Sequence, residues 1–278
     1  MMPTTHGKQS STMNRDSQAY WNKRAATFTR DATVEYERWL LDLLALEDGD
    51  EVLDMGCATG TLAVPLARAG HRVHGCDFAE AMLAILDERT ATESLPITCH
   101  LLAWEDDWEA AGLGTDSVDV AFASRSLMSG DVPACVHKLD ATARSRAAVV
   151  VPDSLLPSRD PHLLTYLGRS ARRACIVRDV TRALTALGRI PVFATTRTFR
   201  PMRFSSFDEA RVDLRRLAGP EPFTAREQRL FDAYAAQHVV REDLTSPSEV
   251  AEEHWVLDYR LPVTWAFIGW STDGSEWA

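Results

Sequence analysis

The residues best suited to chemistry lie close together near the first quarter of the chain. Asp54-Met55-Gly56-Cys57-Ala58-Thr59-Gly60 closes a short apolar run, and Asp77 follows at the end of the next one. Glycines at such a turn let backbone N–H groups approach a ligand, because no side chain stands in the way. A pyrophosphate-binding turn would read G-x-G-x-x-G. Here the last glycine comes one position too early and Thr61-Leu62 follow it, which argues against a nicotinamide dinucleotide and an oxidoreductase. Asp77 has two readings: an acceptor for both hydroxyls of a ribose, or an N-cap for a helix starting near Ala79.

Three other groups of residues invite a role. Trp104-Glu105-Asp106-Asp107-Trp108 is an acidic run flanked by aromatics, which by itself reads as a solvated turn with two packing tryptophans. Ser124-Arg125-Ser126 ends another apolar run, and Arg125 either holds an anionic substrate bidentately or pairs with Asp131. Arg169, Arg172, Arg173, Arg178 and Arg182 form either an anion-recognition face or an ordinary solvated one. His137 and His254 stand alone, and no catalytic base is assigned among them. Five widely spaced cysteines without a C-x-x-C pair suggest reduced thiols and neither a zinc site nor any other metal.

The elements that must position these residues alternate. Helical spacing over 34–46 is ended by Asp48-Gly49-Asp50; strands are expected at 51–55, 72–76, 97–103, 118–124 and 147–151, with helices after Gly60, at 79–89 and at 132–144. Unbroken apolar runs such as VDVAFAS suit strands covered on both faces. Such alternation implies an α/β, doubly wound parallel sheet. Three prolines in 152–162 leave that pattern, and one helix is expected over Leu163–Leu187, stopped by Gly188. A β-rich run at 190–199 precedes two helices with capping-box patterns, Ser206 with Glu209 and Thr224 with Glu227, and Val263–Trp270 reads as a final strand.

Composition sets the outer bounds. With 278 residues, 45% hydrophobic and 25% charged, the chain can bury a core. A net charge of -10 disfavours nucleic acid and favours a small-molecule partner. No apolar run has the roughly 20 residues of a membrane span, and the polar first 18 residues read as a flexible tail without a signal sequence. A cytoplasmic protein is the expectation, and its oligomeric state is open.

The D-x-G-x-x-x-G turn after a strand, with Asp77 beyond it, resembles motif I and the following acid of class I S-adenosylmethionine (SAM)-dependent methyltransferases, of the small-molecule, type 11/25-like kind. The resemblance spans about 20–151 and 190–270. It implies a Rossmann-like doubly wound seven-stranded sheet with strand seven antiparallel between strands five and six, and a helical lid insertion. The implied domains are a tail at 1–18, a SAM-binding core at 19–151, a lid at 152–188, and sheet completion at 189–278 with a helical insertion at 205–245. It further implies that Asp54 orients the methionyl end, that Gly56, Cys57, Ala58 and Gly60 line the turn, and that Asp77 holds the ribose. Phe78 and Trp104 would flank the adenine, with Glu105 or Asp106 on its amino group, and Met82 and Ser124, the latter at the strand-four edge, would be among the cofactor-binding residues. Tyr20-Trp21-Asn22-Lys23-Arg24-Ala25 resembles a segment that closes over the SAM site, with packing on the sheet as the alternative. Arg125 and Tyr166 are candidates for the acceptor. Ala58 replaces the usual central glycine, and the amino-methylating motif (N/D)-P-P-(Y/F) is absent after strand four. Methylation of a small molecule is therefore the leading expectation; methylation of RNA or protein, and a SAM-binding partner without catalysis, are the alternatives.

Overall fold

A computed structural model describes residues 17–26, 28, 34–127, 131–153, 156–170, 175–200, 202–242 and 254–277. The first 16 residues, Arg172 and Arg173 lie outside these, while Ser17 and Gln18 do not belong to a tail. Ser17 caps helix α1 (Gln18–Ala25), its hydroxyl accepting from the Tyr20 amide.

The apolar runs become strands of one sheet. β1 (Glu51–Met55), β2 (Arg72–Asp77), β3 (Ile97–Leu101), β4 (Val118–Ser124) and β5 (Ala143–Pro152) pair in parallel in the order β3-β2-β1-β4-β5. Beyond β5 come the late strand, here numbered β10 (Leu261–Ser271), and then β6 (Val192–Arg200) at the edge. β10 is antiparallel to both neighbours, Phe267 facing Val150 on one side and Ala194 on the other. This is the seven-stranded class I methyltransferase sheet expected from the resemblance.

Alternate residues serve opposite faces. On one face Val52, Val120, Phe122, Val150 and Phe267 meet Tyr36, Leu40 and Leu44 of α2 (Val34–Leu44) and Leu66 of α3 (Ala63–Arg68). On the other, Leu53, Ala121, Val149 and Ile268 meet Val136 and Leu139 of α5 (Val132–Thr142) and Val180 and Leu184 of α7 (Ile176–Ala186). α4 (Glu80–Glu93) covers β2, sealing Leu83 and Leu86 against Cys57 and Val64.

The single helix expected over Leu163–Leu187 is two. α6 (Pro161–Leu167) stops at Gly168, whose φ of +72° is the left-handed cap that glycine favours. Apolar spacing resumes in α7, which is why the stop was invisible to periodicity. The halves also serve different cores, so packing divides the expected 152–188 lid. α7 belongs to the main sheet; Leu163 and Leu167 of α6 join a second core with Phe204, Leu214, Phe231, Tyr234 and Leu261. That smaller core contains α8 (Phe207–Leu217), α9 (Ala225–His238) and an antiparallel sheet β7-β9-β8 made of Arg203–Phe204, Trp255–Leu257 and Val239–Arg241. Its strands are too short to show an alternation in sequence. Both capping residues act as expected: Ser206 accepts from the Glu209 amide at 3.1 Å, and Thr224 and Glu227 form a reciprocal box.

The small core is placed by topology. The end of β5 (Pro152), the end of β6 (Arg200) and the start of β10 (Leu261) lie on the same edge of the sheet, where Trp265 pairs with Pro152 and Leu261 with Arg200. Chain leaving there must build over the carboxyl ends of the strands. Arg169 locks it, donating to Glu227 at 2.6 Å and to the Pro222 carbonyl at 2.9 Å. This arginine of the cluster is a structural clamp, and Arg178 pairs with its neighbour Asp179.

Candidate functional site

The loop after β1 is held at both ends. The amides of Gly56 and Cys57 donate to the Cys76 carbonyl at 2.7 and 3.0 Å, fastening the loop to the end of β2. Gly56 has φ +82°, and a Cβ there would overlap the side chain of Ser126, whose hydroxyl donates to the Met55 carbonyl. Glycine is required at this point by both conformation and space. Ala58 also takes the left-handed conformation, at φ +48°, with a methyl where the family keeps hydrogen. Cys57 points away into the cluster of Val64, Leu83 and Leu86, and burial pushes its thiol well above the ordinary range. Its side chain is therefore core, and only its backbone belongs to the turn.

Two carboxyls lie beneath the loop. Asp77 is 6% exposed; one oxygen accepts from the Ala58 amide at 2.9 Å and the other from the Ala79 amide at 2.8 Å. It thus joins the β1 loop to the turn opening α4. The N-cap position of α4 is Ala79, so Asp77 shapes the turn before the helix and does not cap it, and each of its oxygens keeps a lone pair for a further donor. Asp54 is 2% exposed, with the Ala63 amide at the start of α3 nearby. Burial and the charge of Asp77 push its carboxyl up to about 8.

Helix α1 lies over the start of α4. The Ala81 amide donates to the Asn22 side chain at 3.0 Å, and Gln18 donates to the Phe78 carbonyl at 2.7 Å. Trp21 packs on a cluster of Ala25, Ala79 and Met82 that includes Ala58, and meets the Tyr20 ring edge-on at 5.4 Å. Tyr20 and Trp21 therefore flank the loop region. Met82, 1% exposed, lies inside that cluster.

The strand ends put the remaining candidates in a row. The Leu102 amide donates to the Asp77 carbonyl at 3.0 Å, carrying the chain from β3 alongside Asp77. Trp104 donates through its indole to the Ser126 carbonyl at 3.1 Å and lies 5.4 Å from the Trp108 ring. Asp106 folds its own turn, accepting from the Ala103 amide at 2.7 Å, and Glu105 is exposed beside it. Ser124 shares a 2.7 Å hydrogen bond with Tyr36. Arg125 has φ +60°, yet its amide still donates to the Val150 carbonyl at 2.9 Å. Its guanidinium carbon sits 4.5 Å from the Tyr36 ring centre and 5.4 Å from that of Trp265. Asp131 does not pair with it and instead caps α5 at the Ala134 amide, 3.0 Å away.

Tyr166 stands elsewhere, in an open groove of about 630 Å³ within the small core, its ring 5.1 Å from Tyr234. His162, His238 and Tyr259 also line this groove. No contact joins Tyr166 to Arg125 among the described residues. Sequence reasoning gave Ser126 and Asn22 no role of their own beside Arg125 and Trp21, and it did not mark Tyr36 or Trp265 as site residues. The last two reach the sheet edge from α2 and β10, so no local spacing marks them. Among the described residues no group of three or more His, Cys, Asp or Glu could hold a metal ion. No helix among them is long and apolar enough to cross a membrane.

Residues 52–146 match the family model described as "Methyltransferase domain". The chain is 32% identical over 130 residues to an uncharacterized protein of Haemophilus influenzae, covering 45% of this chain and 47% of that protein. It is 40% identical over 81 residues to human glycine N-methyltransferase, covering 29% and 28% of the two chains. The chain thus spans less than half the length of these relatives. Geranyl diphosphate C-methyltransferase from Streptomyces coelicolor, solved with Mg2+, geranyl diphosphate and S-adenosyl-L-homocysteine, shares the fold at a TM-score of 0.50 and 12% identity, over 95% of this chain and 88% of that one. With the loop, the acid at the end of β2 and the strand order, the match over 52–146 identifies this segment as a domain of the class I SAM-dependent methyltransferase family.

Proposed function

We propose that the chain transfers a methyl group from SAM to a small-molecule acceptor by in-line displacement. The observation that carries this reading is Asp77, a buried carboxylate already oriented by two backbone amides and joined to the glycine turn. SAM supplies an electrophilic methyl on a sulfonium, and the protein's part is to position and to exclude water.

The residues fit such a ligand laid along the carboxyl edge. Adjacent strands are about 4.8 Å apart, so the ends of β1, β2 and β3 span about 10 Å, the scale of a nucleoside. Asp77 would accept from the ribose hydroxyls. Phe78 and Trp104 would border the base, with Glu105 nearer its amino group than Asp106, whose carboxylate already serves Ala103. Gly56, Ala58 and Gly60 would admit the methionyl end. Asp54 would act from beneath, favouring a cationic ligand electrostatically once it ionises. Tyr20 and Trp21 would cover the site. The small core over the same edge supports an acceptor chosen by that core, and the charge of -10 favours a small molecule over RNA. Ser124, Arg125 and Tyr166 are the acceptor-side candidates.

Calorimetric titration with SAM, S-adenosylhomocysteine and NAD tests this reading. Both sulfur compounds should bind and NAD should not; the reverse pattern sinks it. Asp77→Asn, which keeps one acceptor oxygen, should weaken both ligands by roughly 1–3 kcal/mol while the protein stays folded by circular dichroism.

A further inference from the structure

We infer that Arg125 anchors a carboxylate on the methyl acceptor, an inference that rests on the methyl-transfer reading above. Four observations lead there. The guanidinium lies against two aromatic rings, Tyr36 at 4.5 Å and Trp265 at 5.4 Å. Such contacts do not consume hydrogen-bond donors, so a planar guanidinium keeps its five N–H groups for a ligand. Among the described residues the Arg125 side chain makes no ion pair and donates no hydrogen bond, and Asp131, the acid best placed in sequence, is turned to the α5 amides. The fork is thus ordered without being spent.

Position completes the argument. Arg125 precedes Ser126, whose side chain lies against Gly56, so its backbone is one residue from the contact with the turn that would admit the methionyl end. The backbone at Arg125 is left-handed, a conformation costing a non-glycine residue about 1 kcal/mol, and such cost gathers at functional sites. Tyr36 and Ser124, joined by their hydroxyls, add a polar pair beside the same rings. A planar, bidentate fork between aromatic walls suits a carboxylate on a flat or apolar body, because two parallel N–H···O bonds fix its orientation. Ordering the side chain beforehand lowers the entropy lost on binding.

Benzoate, benzamide and phenyl phosphate serve as test ligands, titrated with and without S-adenosylhomocysteine. Benzoate should bind, its neutral isostere benzamide should not, and Arg125→Gln should weaken benzoate at least about tenfold while changing S-adenosylhomocysteine affinity less than about twofold. Arg125→Lys should recover only part of the loss, since an ammonium lacks the fork. Equal binding of benzoate and benzamide, or unchanged benzoate affinity in Arg125→Gln, overturns the inference. Tighter binding of phenyl phosphate than of benzoate overturns the carboxylate assignment. Failure of S-adenosylhomocysteine to bind while benzoate binds normally would instead remove the methyl-transfer reading, so the two failures are told apart.

Discussion

Asp54 holds a proton in the folded protein that the unfolded chain gives up. Its carboxyl titrates near 8 when buried beside Asp77, against an ordinary value of 3.8. The native state therefore binds more protons across that interval, and this group's contribution to stability falls as pH rises from about 4 to about 8. Asp54→Asn keeps the shape of the side chain and carries no charge. Its melting temperature should decline less between pH 5 and 8 than that of the wild type, and a parallel decline would refute the assignment. The same carboxyl, once ionised, favours a cation, so SAM affinity should rise with pH towards 8 more steeply than S-adenosylhomocysteine affinity. Ala58 offers a second single-residue test. Its left-handed φ costs about 1 kcal/mol and its methyl contributes roughly half that through packing, so Ala58→Gly should stabilise the protein by about 0.5 kcal/mol. Gly56→Ala should be severely destabilising, because a methyl there overlaps Ser126 whatever the loop does. Thermal melts of the two variants should move in opposite directions.

At the scale of elements, the parts legible in sequence were those whose signal is local. The Asp54-to-Gly60 turn, the apolar runs of β4 and β5, the N-cap at Ser206 and the capping box at Thr224 each announce themselves within a few residues. The break at Gly168 did not, because apolar residues recur at helical spacing on both sides of it and a lone glycine does not always end a helix. The small sheet did not either, since strands of two or three residues have no period to read. The acceptor side of the site was half legible: Arg125 stood at a strand end, but Tyr36 and Trp265, which order it, come from α2 and β10. Within the small core, α6 is held by Asp160, 0% exposed, which accepts from the His162 and Leu163 amides at 2.8 and 3.2 Å and from the Tyr259 hydroxyl. Removing that carboxylate orphans three donors, so Asp160→Ala should cost about 2–4 kcal/mol. Hydrogen exchange should show the loss in α6, α8 and α9 and little change in β1 and β4. Equal weakening of β1 and β4 would mean that the two cores open as one unit.

For the whole molecule, the placement of β10 between β5 and β6 sets an order of events during synthesis. β6 is made early yet has no neighbour in the main sheet except β10, which comes later in the chain. At about 5–20 residues per second, the ribosome leaves it waiting for seconds. Its Phe193 and Phe199, 54% and 49% exposed even in the finished sheet, are then bare on a strand with two unpaired edges. A nascent chain stalled before residue 261 should therefore cling to chaperones and precipitate on release, whereas one carrying 261–271 clear of the exit tunnel should not. The central antiparallel strand thus acts as a timing device for the newborn chain, as well as a divider between its neighbours.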